Sequence, residues 1–251
     1  MFDLLIVELL IIGMIVGFLS GFFGIGGGTI LVPMLLALGY DTKVAIGVAV
    51  VQMVFSSIYG SYLNKKNGSL DLSIVLYIGI GGFIGAMLSG GLAAYFSDTT
   101  LEIIFLLFAT FALIRLFYKV KEHKEQKNVN KFLLFFIGFC IGSVSMTIGV
   151  GGSILVVPIL VGFLHVDLKK SISAGLFFVV FSSIAGFASH YANGHIDLKT
   201  GLIIGVSSLL GVYYGIYKKQ KVNLVLQRKL IVLFYVVIVS YLTYRVLFEI
   251  Y

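Results

Sequence analysis

Residues 17–33 read GFLSGFFGIGGGTILVP, and residues 142–158 read GSVSMTIGVGGSILVVP. Gly17, Gly24, Gly26, Gly27 and Pro33 fall on Gly142, Gly149, Gly151, Gly152 and Pro158 at a constant offset of 125. After one inserted residue the offset becomes 126, and the match resumes. Asp41 meets Asp167, FSSIYG (55–60) meets FSSIAG (181–186), and NGSLDL (67–72) meets NGHIDL (193–198). The chain is a duplication in which each copy interrupts apolar sequence with a glycine run. Interrupted hydrophobic segments at matching positions of two halves point to a transporter site.

Hydrophobic residues make up 59% of the 251 residues, charged residues 12%, and the mean hydropathy is +1.09. Too little polar sequence remains to cover a soluble surface, so the composition specifies an all-α polytopic protein of the lipid bilayer. Five apolar runs can be drawn in each half, at about 4–23, 27–39, 43–63, 72–95 and 100–118, then at about 131–148, 152–164, 170–190, 198–217 and 229–248. Most approach the roughly 20 residues a spanning helix needs, but the second run of each half is too short. Runs one and two therefore read as a broken hairpin with the glycine cluster at the break inside the membrane. Backbone left open there has to be buried in protein or line an aqueous cavity.

The net charge of +7 resides in lysines of short loops, which signal topology and give no nucleic-acid partner. Placing the basic stretch 119–131 in the cytoplasm puts Lys65, Lys66, Arg115, Lys119, Lys121, Lys124, Lys127, Lys131, Lys169, Lys170, Lys218, Lys219, Lys221, Arg228 and Lys229 inside. Lys43, Lys199 and Arg245 remain outside. This bias predicts a multi-pass protein of the cell membrane with inverted repeats and both termini outside. Its parts are a first membrane repeat (1–118), a cytoplasmic linker (119–131) and a second membrane repeat (132–251). The acidic start MFDLLIVELL predicts no cleaved signal. Assembly as a homodimer stays open.

The paired GxGGG/GxGGS-x4-P elements, the shared FSSxxG and NGxxDL, and the length resemble the sulfite exporter TauE/SafE family over about residues 10–245. The resemblance implies transport of sulfite, sulfonates or related small sulfur-containing or carboxylate anions across the cytoplasmic membrane. Strict symmetry fails where Gly28 becomes Ser153 and Gly21 becomes Met146, so the half-sites need not contribute equally.

The candidate substrate site is the pair of breaks: Gly24, Gly26, Gly27, Gly28 and Thr29 in one repeat, Gly149, Gly151, Gly152 and Ser153 in the other. Each precedes a helix whose first amides lack intrahelical partners and carry partial positive charge, and glycine lets an anion approach that backbone. Such a site needs no buried arginine. Gln52, Ser56, Ser57, Ser182 and Ser183 on the third runs, with Ser20, Ser143, Ser145 and Thr147 flanking the breaks, are candidate side-chain donors. For each serine the competing reading is a bond to its own or a neighbouring helix, and for the glycines close helix packing. Pro33 and Pro158 read as kinks. Arg115 and Arg245 read as snorkelling to an interface, His190 and His195 as interfacial or loop histidines near the outer face, and Asp71 and Asp197 as helix caps. Glu8, close to the outer end of its run, is a minor candidate for a coupling carboxylate.

GIGGGT lacks the lysine of a phosphate-binding loop, so energy would come from an ion or substrate gradient, with proton and sodium as the candidate coupling ions. No cofactor, metal or catalytic constellation is expected, and the chain reads as no enzyme. Cys140, the sole cysteine, reads as a packing residue. The leading function is a secondary transporter, an exporter, of a small anion by alternating access. A passive anion channel and a membrane sulfur carrier serving a partner enzyme are the alternatives.

Overall fold

The computed structural model describes residues 2–68, 72–117, 130–162, 164–166 and 168–248. Among these the fold is all-helical, with no strand. The first repeat contains α1 (Phe2–Phe23), α2 (Gly28–Ala37), α3 (Thr42–Lys66), α4 (Leu72–Ala86), α5 (Ser89–Tyr95) and α6 (Asp98–Phe117). The second contains α7 (Lys131–Thr147), α8 (Ser153–Gly162), α9 (Leu168–Ala192), α10 (Leu198–Lys221) and α11 (Leu224–Phe248). Six stretches are long and apolar enough to cross a membrane: Ile6–Phe23, Thr42–Lys66, Val75–Tyr95, Lys170–Ala192, Leu198–Lys221 and Lys229–Phe248. The glycine runs stop α1 and α7 and start the short α2 and α8, as the sequence predicts.

Local chemistry sets the ends. Asn130 accepts a bond from the Phe132 amide at 3.0 Å and starts α7. Asp197 accepts from the amides of Lys199 and Thr200 and from the Thr200 hydroxyl, and so caps α10 as expected. Asp71, most of the 119–131 linker and the Arg115 side chain lie outside the described residues.

Small residues set the packing. A methyl group at Gly17 would strike the Ser208 backbone, and one at Gly142 would strike the Gly82 carbonyl. These contacts are equivalents of each other in the two repeats. Gly13 lies on Ile204 as Gly138 lies on Ile78. Each repeat thus lends its first helix to the fourth helix of the other: α1 packs along α10 and α7 along α4. The contact positions 13, 17 and 21 advance with 204, 208 and 212, so α1 and α10 run in the same direction. Without a hydrophobic force between helices in lipid, such close seams supply the van der Waals attraction that holds them.

Three features depart from the sequence reading. The fourth run of the first half breaks at residues 87–88 into α4 and α5. Ser189 bridges the break, donating to the Met87 carbonyl at 2.7 Å and accepting from the Gly90 amide at 2.8 Å. Arg245 does not snorkel. Its Nε donates to Glu102 at 2.9 Å and its Nη1 to the Leu36 carbonyl at 3.1 Å, while Thr42 donates to the other Glu102 oxygen at 2.6 Å. Glu102 is 3% exposed, and a carboxylate so buried draws the nearest cation inward. The cluster ties α6 and α11 to the end of α2 and the start of α3. Cys140 is exposed on α7 rather than packed.

Replacing Gly17 or Gly142 by Leu should cost about 1–3 kcal/mol through overpacking, read as a lower melting temperature in detergent. Gly91→Ala, where an added methyl meets open space, should leave the melting temperature unchanged. Glu102→Ala should cost about 3 kcal/mol by stranding Arg245, and Glu102→Leu combined with Arg245→Met should recover most of it.

Candidate functional site

The two glycine breaks meet. Thr29 Oγ1 donates to the Val150 carbonyl at 3.4 Å, and a methyl group at Gly28 would collide with the Gly149 carbonyl. Gly24 lies on Ile172 of α9, while Gly149 lies on the equivalent Ile46 of α3. Gly26 and Gly151 both face Met53 and Val179, again equivalent residues. Every residue from Gly24 to Thr29 and from Gly149 to Ile154 is buried. Gly24, Gly26, Gly149, Gly151 and Gly152 take φ between 70° and 83°, a left-handed backbone that glycine adopts without strain.

Each half-helix opens without a side-chain acceptor of its own. The Gly27 carbonyl takes the amides of Ile30 and Leu31, and the Gly152 carbonyl takes those of Leu155 and Val156. The amides of Gly28 and Thr29, and of Ser153 and Ile154, have no carbonyl of their own helix to bond. Each start carries roughly half a positive charge. Pro33 and Pro158 lie inside α2 and α8 and lack the amide that would bond the carbonyls of Thr29 and Ile154.

The half-sites differ in side chains. Gln52 presses its amide on Gly27, whereas the equivalent Phe178 presses its ring on Gly152. Gln52 is fully buried, and neither its Oε1 nor its Nε2 has a hydrogen-bond partner. The hydroxyls of Ser153 and of the equivalent pair Ser20 and Ser145 are likewise buried and unpartnered. A buried polar group left so costs about 1–3 kcal/mol, so each of these side chains is kept at a cost in stability. Their shared chemistry is hydrogen-bond donation beside two positive helix starts, which suits an oxyanion.

The other serines divide. Ser182 reaches the second break, donating to Gly151 at 3.5 Å, although it also lies 3.3 Å from the Phe178 carbonyl in its own helix. Ser56 bonds only within its own helix, to Met53. Ser57 and Ser183 lie 3.5 Å apart, two equivalent hydroxyls facing each other on the line that relates the repeats. Ser143 and Thr147 bond back along α7. Glu8 is exposed on α1.

Four contributors carry no sequence signal strong enough to single them out. Met53 and Val179 are apolar residues at matched positions, visible only once the breaks are seen to meet. Tyr235 of α11 is fully buried and faces Thr29, its hydroxyl without a well-formed bond. A lone phenol in an apolar run is the only hint. Gln227 donates to the Phe22 carbonyl at 2.7 Å, satisfying the end of α1 just before its break.

His190 lies in the last turn of α9 and His195 in the loop before α10, as the sequence places it, but neither ring is turned outward. His190 is fully buried and His195 is 9% exposed, and their Nδ1 atoms lie 3.2 Å apart. Among the described residues no group of three or more His, Cys, Asp or Glu could hold a metal.

The sulfite exporter TauE/SafE family model matches residues 9–242. A probable membrane transporter protein of Methanocaldococcus jannaschii is 27% identical over 88% of this chain and 89% of its own length. Two of Bacillus subtilis, YunE and YdhB, are 23% and 24% identical, over 97% of both chains for the first and over 82% of this chain and 87% of the relative for the second. No solved structure gives a significant match. A family match that covers both glycine breaks, and relatives aligned almost end to end, agree with the membrane-grade helices, and the chain belongs to the TauE/SafE sulfite exporter family of membrane proteins.

Proposed function

We propose that the chain is a secondary transporter that exports a small oxyanion, sulfite, an organosulfonate or a related sulfur-containing or carboxylate anion, across the cell membrane. The anion is held between the starts of α2 and α8. The observation that carries this reading is the meeting of the two breaks around unpartnered buried donors, Gln52 above all. Pyramidal or tetrahedral oxygens can accept from backbone amides, the Gln52 Nε2 and the Ser20, Ser145 and Ser153 hydroxyls together. The two helix dipoles supply positive charge without an ammonium or guanidinium. Arg245, which reaches the far end of α2, is already engaged with Glu102.

Alternating access follows from the arrangement of the repeats. Helix α1 runs parallel to α10, the counterpart of α4, and α7 packs in the equivalent way on α4. Together with the lysine distribution, this supports inverted repeats with both termini outside. Rocking one repeat on the other would open the breaks to one face at a time. Both breaks are buried, which favours a transporter's closed state over an open channel.

Sulfite flux into proteoliposomes tests the reading. Wild type should show saturable uptake and counterflow. Gln52→Ala should weaken apparent affinity by about 10–100-fold, the loss of one hydrogen bond to a charge. Cys140→Ala should transport normally. Absent flux from folded protein, or full affinity in Gln52→Ala, would count against the site. Loss of transport in Cys140→Ala would favour a sulfur carrier instead.

A further inference from the structure

The buried histidine pair lies apart from the unpartnered donors yet is bonded to the second break. His190, in the last turn of α9, places Nε2 3.0 Å from the Met146 carbonyl. A carbonyl only accepts, so Nε2 carries the hydrogen and His190 Nδ1 is a bare acceptor in the neutral ring. His195 Nδ1, 3.2 Å away, must then carry a hydrogen and donate. Two contacts therefore fix both tautomers and leave one basic atom, Nε2 of His195.

The same Met146 carbonyl also accepts from the Gly149 amide at 3.2 Å. Gly149 opens the second glycine break. A charge on His190 is thus felt one hydrogen bond away from the residues proposed to hold the anion.

We propose that His190 and His195 are the coupling-proton site of this transporter, an inference that rests on the anion-transport reading. A proton binds Nε2 of His195. Because His190 is the more deeply buried ring, the Nδ1 hydrogen of His195 crosses to Nδ1 of His190 only when an anion occupies the second helix start, leaving His195 neutral and His190 an imidazolium. The bond from His190 Nε2 to Met146 survives the transfer. A buried cation beside the second helix start and an anion at that start stabilise each other, so the two move together. Net direction follows the sum of the anion and proton gradients.

The surroundings set when the site loads. Lys43 at the start of α3 and Asp98 at the start of α6 face His195. Asp197, two residues on, is engaged with the Lys199 and Thr200 amides. From α7 the Met146 carbonyl meets His190. Burial first, then the Lys43 ammonium, pulls the His195 imidazole below its ordinary value of 6.5, against an upward pull from Asp98. A lowered value means that the proton is taken up only as pH falls below 6.5.

The duplication supplies its own control. At an offset of 126, His190 corresponds to Asn64, a buried residue whose amide can bond a carbonyl but cannot take a proton. His190→Asn therefore transplants the first repeat's solution into the second.

The test uses labelled sulfite and a pH dye inside proteoliposomes, with the membrane potential clamped. Wild type, His190→Asn and His195→Gln are compared, so that sulfite's own protonation cancels. Wild type should accumulate sulfite about tenfold for about one unit of inward acid gradient, the limit for one proton per anion. Both variants should keep downhill flux at neutral pH but lose accumulation, the linked proton movement and the rise in rate below pH 6.5. Either variant accumulating like wild type would overturn the proposal, as would wild-type flux indifferent to the gradient. Variants inactive even downhill, beside active wild type, would show a structural role and overturn it too. No flux in wild type would overturn the transporter reading and the coupling with it.

Discussion

A helix interrupted within a bilayer exposes amides and carbonyls that lipid cannot solvate, each costing several kcal/mol, so its break must find protein. Here each break finds mainly the other. Thr29 reaches Val150, Gly28 abuts Gly149, and the flanking glycines rest on Ile172 and Ile46 of the opposite repeat. Neither half could bury its break alone. The duplication is therefore a physical requirement of the site as well as its history.

Meeting of the breaks depends on the helix seams. Glycines at 13, 17 and 21 let α1 descend along α10, and glycines at 138 and 142 do the same for α7 on α4. Each first helix is anchored to the other repeat, so each break is delivered to the partner half. Side chains then complete the backbone: Gln227 satisfies Phe22, and His190 joins Gly149 on the Met146 carbonyl. The Glu102 and Arg245 cluster fixes the far end of α2. Departures from symmetry include Gln52 set against Phe178 at the breaks, His190 against Asn64 in the third helices, and the α4–α5 interruption that α10 lacks.

The helices and the breaks were legible because they rest on strong signals: apolar runs of spanning length, and glycines at a fixed offset. Asp197 was legible as a cap because capping is local. The Arg245 pairing was not, since Glu102 lies 143 positions away and nothing local announces it. The α4 and α5 break depends on Ser189, equally remote in sequence. Near-terminal positions suggested interfacial or loop histidines, and His195 does sit in the loop before α10, but the two rings, five residues apart, turn inward to meet. Among the serines and threonines, local rules predicted bonds to the helix backbone, which hold for Ser56, Ser143 and Thr147. They gave no way to know that Ser20, Ser145 and Ser153 would be buried without partners.

The proposed site holds an oxyanion between the two helix starts. Selenite, the heavier analogue of sulfite, permits a direct measurement by anomalous X-ray scattering from crystals grown with it. A selenium peak is expected within hydrogen-bond distance of the Gln52 amide and of the amides that open α2 and α8. Selenium bound elsewhere in the protein, with none between Gly27 and Gly152, would contradict it.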